Sequence, residues 1–565
     1  MNNFNDYVYQ RPDLVQFTAD FTASLDVFKI SDTEQEQLDA FEQINALRQE
    51  FDSMANICHI RNSIDTKNEF YNDEKKFFDE NSPAVQALVT EYYRALLESS
   101  LRPQLEQKWG KTLFTIAEFS LKTFIPEIIE DLQEENKLIT EYNKLKAGAE
   151  LFVRDIKYNL SSIIAIETGD DRTLRKEASE TKWKFYEENA EKIESIFDKL
   201  VKTRHNIAIK LGYKNFVELG YVRMLRMDYN AEMVANYRRQ IEEKIVPIAS
   251  KLYVRQQKRL RLDNLNYYDE EFKFASGNAK PKGTPEWIVN NASTMYKELS
   301  PETDTFFQFM RNNNLMDLES KEGKETGGYC TFISKYQAPY IFSNFNGTSG
   351  DIDVLTHEAG HAFQVFSSKD IALGEYHWPT FESCEIHSMS MEFFTWKWMH
   401  LFFQEDTDKY KFAHLSGAIH FLPYGVSVDE FQHFIYENPE ATPQERNDAW
   451  SAIEAKYLPH RNYEDNDFLK KGAYWQKQSH IFNMPFYYID YTLAQMCAFQ
   501  FWKKDAENHE SAWADYLRLC KAGGSDTFLG LVKLANLRSP FEEGCVASVS
   551  NEIEKWLDSV DDSTF

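Results

Sequence analysis

Long apolar runs and an excess of positive charge are both missing from this 565-residue chain. No stretch of about 18 apolar residues occurs, so we expect no membrane-spanning helix. The segment from Met1 to Asp6 shows no basic patch followed by an apolar run, so we also expect no signal peptide. The net charge of −27 argues against nucleic acid or an anionic membrane as a partner, because both are bound through basic patches.

Cysteine is also scarce. The chain has 6 cysteines, and they are scattered without a close pair: Cys58, Cys330, Cys384, Cys497, Cys520 and Cys545. This spacing is typical of neither a disulfide framework nor a cysteine-based zinc site. It favours a reduced, cytoplasmic protein. Repeats and low-complexity linkers are absent as well, and 42% hydrophobic residues with 27% charged residues indicate a globular chain with a large core.

Helical patterns dominate the chain, and the strand-like exceptions stand close together. Residues 329–334 and 339–343 are rich in β-branched and aromatic residues and are bounded by glycine and proline. We expect each of these runs to form a β-strand.

The most informative motif is the run His357-Glu358-Ala359-Gly360-His361. Two histidines four residues apart lie on one face of a helix, about one turn apart, so both imidazoles can reach one metal ion. Zinc is the usual ion, and Glu358 is placed to act on water beside it. The pattern predicts a zinc peptidase. The alternative is a surface helix with two solvated histidines.

The flanking residues favour a buried helix over that alternative. Apolar side chains precede and follow the motif, and buried histidines require partners such as a metal. The preceding loop predicts a helix start, where Ser349 or Asp351 could cap the free N–H groups. We interpret Asp351 and Asp353 as partners of the helix dipole and not as metal ligands.

A catalytic zinc site usually has three protein ligands. One subclass uses a third histidine six residues after the second, but Ser367 occupies that position here. The other common ligand is a glutamate from the next helix, which we expect from about Thr380 to Phe403. Glu385 is our candidate for the third ligand. Glu392, two turns further along the same helix face, is our candidate for a residue that supports the ligands without binding the metal. We interpret Glu382 as a first-turn dipole residue and His387 as structural.

Four blocks of sequence resemble the thimet oligopeptidase and oligoendopeptidase F family of zinc peptidases, and the oligoendopeptidase F branch fits better. The blocks are His357–His361 with Glu385–Glu392, residues 328–347, residues 480–491 and residues 537–541. Thermolysin-like enzymes carry an aspartate four residues after the ligand glutamate. Met389 occupies that position here, which argues against them.

The resemblance implies a mainly α, two-lobed helical peptidase that encloses a deep channel, with a small β-sheet beside the zinc helix. Residues 1–200 would form an N-terminal helical domain and one channel wall, and residues 201–565 the catalytic domain. The channel would admit short unstructured peptides and exclude folded proteins. An edge strand of the implied sheet, with Tyr329, Cys330 and Thr331, could pair with the backbone of an extended peptide, and the alternative is a purely structural hairpin. The oligomeric state is left open.

The resemblance also implies roles for the segment from His480 to Tyr491. A histidine and nearby tyrosines of the matching segment contact the substrate and the oxyanion, and here we favour His480 and Tyr488, then Tyr491. Tyr487 is a further candidate for contact with the substrate. Tyr488 and Tyr491 are three residues apart, on one helical face.

The predicted function is therefore a zinc endopeptidase with one Zn²⁺ per chain, held by His357, His361 and Glu385. Glu358 would be the general base. Two alternatives stay open: a zinc carboxypeptidase of related helical fold, and a peptide-binding protein whose site is catalytically dead.

Overall fold

The fold is mainly helical, as predicted. The structure, a computed structural model, describes residues 3–321 and 323–565, without the side chain of Pro83. The first part of the described chain contains these helices: α1 (Leu14–Ile30), α2 (Glu34–Ile64), α3 (Glu69–Glu98), α4 (Arg102–Trp109), α5 (Lys111–Leu121), α6 (Ile129–Ala147), α7 (Ile164–Glu167), α8 (Arg172–Glu188), α9 (Ala190–Lys210), α10 (Phe216–Arg223), α11 (Ala231–Lys244) and α12 (Val246–Arg259).

The second part of the chain is equally helical. Its helices are α13 (Pro285–Leu299), α14 (Pro301–Asn312), α15 (Gly350–Ser368), α16 (Phe381–Phe394), α17 (His400–Phe403), α18 (Thr407–Glu437), α19 (Pro443–Tyr457), α20 (Asp467–Lys470), α21 (Ser479–Asn483), α22 (Tyr488–Glu507), α23 (His509–Ala522), α24 (Phe528–Leu534) and α25 (Cys545–Ser559). Among the described residues, no helix has both the length and the apolar character needed to cross a lipid bilayer.

Two small sheets interrupt the helices. Strands β1 (Leu151–Val153) and β2 (Ile156–Tyr158) form an antiparallel hairpin. Strands β3 (Met316–Glu319), β4 (Tyr329–Ile333) and β5 (Ala338–Phe345) form a sheet in the order β3–β5–β4, in which β4 pairs antiparallel and β3 parallel to β5. The two predicted strands are confirmed. The parallel strand β3 is an addition that the sequence pattern did not indicate.

The chain divides into two compact units, and each is built from separate segments. Unit 1 comprises the chain up to Lys122, Lys280–Thr407 and Cys497–Leu537, and unit 2 comprises Thr123–Ala279, Asp408–Met496 and Arg538–Phe565. Neither unit corresponds to residues 1–200 or to residues 201–565, because each combines segments from both sides of residue 200. The assignment of one channel wall to residues 1–200 stays a prediction.

Within unit 1, helix α15 packs against α16, against strands β4 and β5, and against α23. Its Leu355, Ala359, Ala362 and Phe363 are almost fully buried, as the apolar flanks of the motif predicted. The small sheet therefore lies beside the helix that carries the two histidines, as expected.

One local expectation about these helices is wrong. Helix α15 begins at Gly350 without a side-chain cap, because the Asp351 carboxylate accepts the N–H groups of Asn346 and Gly347 in the preceding loop, each at 2.8 Å. The helical stretch expected from about Thr380 to Phe403 is present in three pieces: α16, a 3₁₀ turn at Trp396–Trp398, and α17.

Candidate metal centre and peptidase site

The side chains of His357, His361 and Glu385 converge in unit 1. One Glu385 carboxylate oxygen, Oε2, lies 3.2 Å from His357 Nε2 and 3.5 Å from His361 Nε2, and the three ligand atoms all lie within 4.8 Å of one another. Ligand atoms at 2.0–2.1 Å from a tetrahedral zinc ion stand about 3.3 Å apart. The three side chains therefore fit a single Zn²⁺ with little rearrangement.

The electrostatics of this cluster also favour a bound cation. Burial would raise the pKa of the Glu385 carboxyl, but the imidazoles of His361 and His357 outweigh it and hold the pKa well below its usual value. Burial would lower the pKa of His357, yet Glu385 and Glu392 raise it well above its usual value. A buried carboxylate facing two imidazoles is most stable with a positive charge between them.

Two residues of α16 contact the candidate ligands. Glu392 Oε1 lies 2.7 Å from His357 Nδ1, so it can fix the ring with Nε2 facing the metal position. Ser388 Oγ donates to Glu385 Oε2 at 3.0 Å. Sequence reasoning predicted Glu392 and missed Ser388, although its place one helical turn after Glu385 was a usable signal.

Glu358 stands beside both the histidines and the sheet. Its side chain is buried, and a methyl group placed on Gly328, next to strand β4, would be 3.6 Å from Glu358 Oε1. Its other oxygen, Oε2, is buried without a hydrogen-bond partner among the described residues. Burial raises the pKa of this carboxyl, opposed by His361 and His357. A carboxylate of raised pKa at this position is suited to proton transfer.

Other residues near the motif have structural roles. His387 is fully buried, its Nδ1 lies 2.7 Å from the Ser383 carbonyl, and burial lowers its pKa to about 4. Asp351 binds backbone N–H groups, as described above, and does not belong to the metal cluster. Both placements agree with the interpretation from sequence.

Strand β4 is an edge strand of the three-stranded sheet, with β5 on one side. Tyr329 stacks its ring on Phe342 at 4.8 Å, and Cys330 and Thr331 are half-buried. At the far end of the strand, Asn56 of α2 donates to the Phe332 carbonyl at 2.9 Å. Asn56 thus occupies the edge at Phe332, and residues 329–331 remain the candidate segment for pairing with a peptide.

The predicted histidine and tyrosines form a second cluster, in unit 2. The centroid of the His480 ring lies 4.9 Å from the centroid of the Tyr488 ring and 5.9 Å from those of Tyr487 and Tyr491. Burial raises the pKa of Tyr488, which keeps its hydroxyl protonated as a donor. The sequence-predicted residues of this segment are thus brought together.

The proton of His480 can be placed from its neighbours. Tyr424 donates to Gln478 Oε1 at 2.8 Å, so the amide nitrogen of Gln478 is left to donate to His480 Nδ1 at 2.7 Å. The neutral ring then carries its proton on Nε2. His480 is therefore a hydrogen-bond donor through Nε2.

A buried arginine holds the turn that precedes the tyrosines. Arg226 donates to the Phe486 carbonyl and to Asp490 Oδ1, the latter at 2.9 Å, and both charged side chains are fully buried. Phe486 has a φ of 69°, a backbone conformation that requires such support. Sequence reasoning missed Arg226, because its partners are about 260 residues away.

The match with a known protein family spans the candidate metal cluster. A model described as Peptidase family M3 matches residues 166–550, and one described as the Peptidase M3 N-terminal domain matches residues 4–124. The chain belongs to peptidase family M3. The predicted class of this M3 peptidase, a metallopeptidase, is confirmed.

Solved structures resemble the M3 peptidase over its whole length. PZ peptidase A, solved with an inhibitor, is 57% identical over 99% of this chain and 100% of its own, with a TM-score of 0.95. A proposed oligoendopeptidase F from Bacillus anthracis strain Ames is 54% identical over 100% of both chains, with a TM-score of 0.91.

A curated relative matches a shorter part. The oligoendopeptidase F homolog of Mycoplasma genitalium is 22% identical over 272 residues, which are 45% of this chain and 44% of that protein. The match therefore spans less than half the length of this relative.

Proposed function

We propose that this protein is a Zn²⁺-dependent endopeptidase that cleaves internal bonds of short, unstructured peptides. The observation that carries the proposal is the spacing of His357, His361 and Glu385, which suits one tetrahedral ion, with the carboxylate of Glu358 beside it. The family match and the inhibitor in the structure of PZ peptidase A support peptides as the substrate class.

In the proposed mechanism, His357, His361 and Glu385 would hold one Zn²⁺ per chain. The bound ion would polarise the scissile carbonyl and lower the pKa of a water molecule, so that the water could lose a proton near neutral pH. Glu358 takes the proton of the attacking water and passes it to the leaving amine, since its raised pKa suits both transfers.

Other residues position the substrate. The free part of the β4 edge, residues 329–331, binds the peptide backbone, which gives affinity with little dependence on side chains. His480 through Nε2–H, Tyr488 and Tyr491 act as donors to the substrate and the oxyanion, with Tyr487 as a further contact. Glu392 and Ser388 keep the ligands oriented.

The proposal includes two further features, a substrate channel and a cytoplasmic location. A channel between two lobes would exclude folded proteins by size, as the family resemblance implies. A cytoplasmic location is supported by the state of the six cysteines, all of which are thiols.

The proposal is tested with an internally quenched peptide of about ten residues, incubated with the native protein and with Glu358→Ala. We expect internal cuts by the native protein, identified by mass, and a loss of about 10²- to 10⁴-fold in the variant while it still binds zinc. Removal of single C-terminal residues would instead support the carboxypeptidase alternative. Zinc binding without cleavage by either protein would support the binding-protein alternative.

A further inference from the structure

A polar cavity of about 310 Å³ lies in unit 1, beside the candidate metal centre. Its walls come from three segments: residues 45–56 of α2, residues 332–334 at the end of β4, and residues 374–378, which follow α15. Residues far apart in sequence therefore line one space, and three charged side chains are among them: Arg48, Asp52 and Glu375.

Arg48 and Glu375 form a buried pair that leaves one carboxylate oxygen unused. Arg48 Nη1 lies 2.5 Å from Glu375 Oε1, and the Tyr93 hydroxyl donates to the same oxygen at 2.9 Å. The Glu375 side chain is only 4% exposed, and its Oε2 is buried with no hydrogen-bond partner among the described residues. A buried, unpartnered carboxylate oxygen is costly unless a ligand satisfies it.

The pair is ionised in spite of its burial. Burial would raise the pKa of Glu375, but the Arg48 guanidinium outweighs this effect and holds the pKa below its usual value. The other contacts of Arg48, to Asn45 Oδ1 and to the Tyr93 hydroxyl, are with neutral groups. The charge of Arg48 is therefore matched by that of Glu375.

Asp52 supplies a second carboxylate on the cavity wall; its side chain is exposed to solvent, and it forms no ion pair with a cationic side chain among the described residues. Partial desolvation at the wall raises its pKa, Arg48 lowers it, and Glu375 raises it further. His377, also on the wall, has a pKa that burial lowers, and Lys335 pairs with Glu50 at 2.6 Å. One positive and two negative charges leave the cavity with a net charge of −1.

The amides on the wall add acceptors. Asn56 donates to the Phe332 carbonyl at 2.9 Å, and Gln49 donates to the Ala372 carbonyl at 3.4 Å. Each side-chain amide thus donates an N–H to a backbone carbonyl and retains its own carbonyl oxygen as an acceptor. Acceptors around a net negative charge suit a ligand that is a cation and a hydrogen-bond donor.

The cavity adjoins the helix that carries the two histidines. Trp378 lines the cavity, and its ring lies 6.4 Å from the ring of His361. Gln364 of α15 donates to the His377 carbonyl at 3.0 Å, which ties this wall to the helix that carries the motif. Glu358 stands near Gly328, whereas the cavity begins at Phe332, four residues further on, or about 13 Å along a strand.

We propose that this cavity is a specificity subsite for a positively charged group of the peptide, placed about four residues from the cleaved bond, with Asp52 and Glu375 as its acceptors. The group is an ammonium or guanidinium, supplied by a lysine or arginine side chain or by the free N-terminus. The proposal rests on the proposed peptidase function. It adds a preference for cationic peptides that strand pairing does not provide.

The test compares N-acetylated quenched peptides of about ten residues in which lysine is moved one position at a time, each matched with a glutamine peptide. For the native enzyme we expect kcat/KM to be about tenfold higher for lysine than for glutamine, at one position about four residues from the cleaved bond. A peptide with a free N-terminus and no lysine distinguishes the second source of the charge. Equal kcat/KM for all members of both series would overturn the proposal.

Variants assign the preference to the cavity. Asp52→Asn should reduce the lysine-to-glutamine ratio to about one, and Asp52→Lys should favour glutamine over lysine. Asp39→Asn, an exposed aspartate on the same helix, is the matched control and should keep the native ratio. An unchanged ratio in both Asp52 variants contradicts the assignment. Since Glu375→Gln removes a partner of buried Arg48, it is interpreted only if its thermal unfolding matches that of the native protein.

A binding measurement separates this proposal from the proposed function. Fluorescence anisotropy of the labelled lysine and glutamine peptides with Glu358→Ala reports the subsite without catalysis. Tighter binding of the lysine peptide, lost in Glu358→Ala/Asp52→Asn, supports the subsite even if the native protein cleaves no peptide. Equal binding of both peptides overturns the subsite even if cleavage is normal.

Discussion

Gly360 lies directly against the backbone of Ser388, where helices α15 and α16 cross. A methyl group on Gly360 would stand 2.6 Å from Ser388 Cα and 2.7 Å from the His387 carbonyl oxygen. Both are backbone atoms, which cannot rotate away. The glycine inside the candidate metal-binding motif therefore sets the distance between the helix with the two histidines and the helix with Glu385.

Replacing Gly360 with alanine should push these helices apart. We expect Gly360→Ala to cost about 1–3 kcal/mol in stability, as overpacking does, and to weaken metal binding because Glu385 moves away from the histidines. Urea unfolding and a zinc titration measure the two effects. Gly417→Ala, where the nearest neighbour is the flexible Lys273 side chain at 3.6 Å, is the matched control and should not destabilise the protein.

Removing the charge of Glu392 should weaken the metal site without removing a ligand. Glu392 Oε1 contacts His357 Nδ1 at 2.7 Å, and a neutral amide would orient and polarise the imidazole less. We expect Glu392→Gln to lower zinc affinity by about 10- to 100-fold in a competition assay with a chelating dye. The exposed Glu302 of α14 provides the control, Glu302→Gln. Equal affinities for all three proteins would argue against a role for Glu392.

Metal removal should destabilise the protein, because the cluster leaves a buried carboxylate and two imidazoles without their cation. At free zinc about 1,000 times above Kd, binding adds about 4 kcal/mol to the free energy of unfolding, and a chelator should remove it. Thermal unfolding with and without chelator measures this difference. His361→Ala should lose most of the response to zinc, and a full response in that variant would place the ion elsewhere.

The free energy of unfolding should fall between pH 7 and 5, partly through His433. Burial lowers the pKa of this histidine to about 4 in the folded protein, against about 6.5 when unfolded. Below pH 6.5 His433 becomes protonated in the unfolded chain but stays neutral in the folded protein. The free energy of unfolding therefore decreases as the pH falls toward 4. At pH 5 the loss from this one group is about 2 kcal/mol.

The variant His433→Asn measures this contribution. Urea unfolding of both proteins at pH 7 and pH 5 should show a smaller loss of stability in the variant. The variant also loses the contact with the Tyr221 hydroxyl at 3.0 Å, so its stability at pH 7 is expected to be lower and only the change with pH is compared. Parallel losses in both proteins would show that His433 does not titrate in this range.

Local sequence patterns were sufficient where neighbours in the chain decide the structure. The helix around His357 and His361 follows from apolar periodicity, and the two strands follow from residues bounded by glycine and proline. Helix ends were less predictable. The Asp351 carboxylate could accept N–H groups of the helix or of the preceding loop. The conformation of the loop determines that it accepts those of the loop.

Pairings between distant residues could not be read from the sequence. Strand β3 pairs in parallel with β5, and no local pattern marks a partner about 25 residues away. Arg226 and the turn at Phe486 are farther apart still. Sequence alone also gave no sign that each compact unit combines three separate segments.

The sequence by itself determined the family of this protein and which residues are candidates for its chemistry: two histidines and a glutamate at helical spacing, and a candidate ligand glutamate on the next helix. Only the tertiary structure decided the geometry, because the distance between Glu385 and the histidines depends on how closely α15 and α16 pack. The charged cavity depends on it entirely. Arg48, Asp52 and Glu375 come close enough to interact electrostatically only when α2 packs against the segment that follows α15.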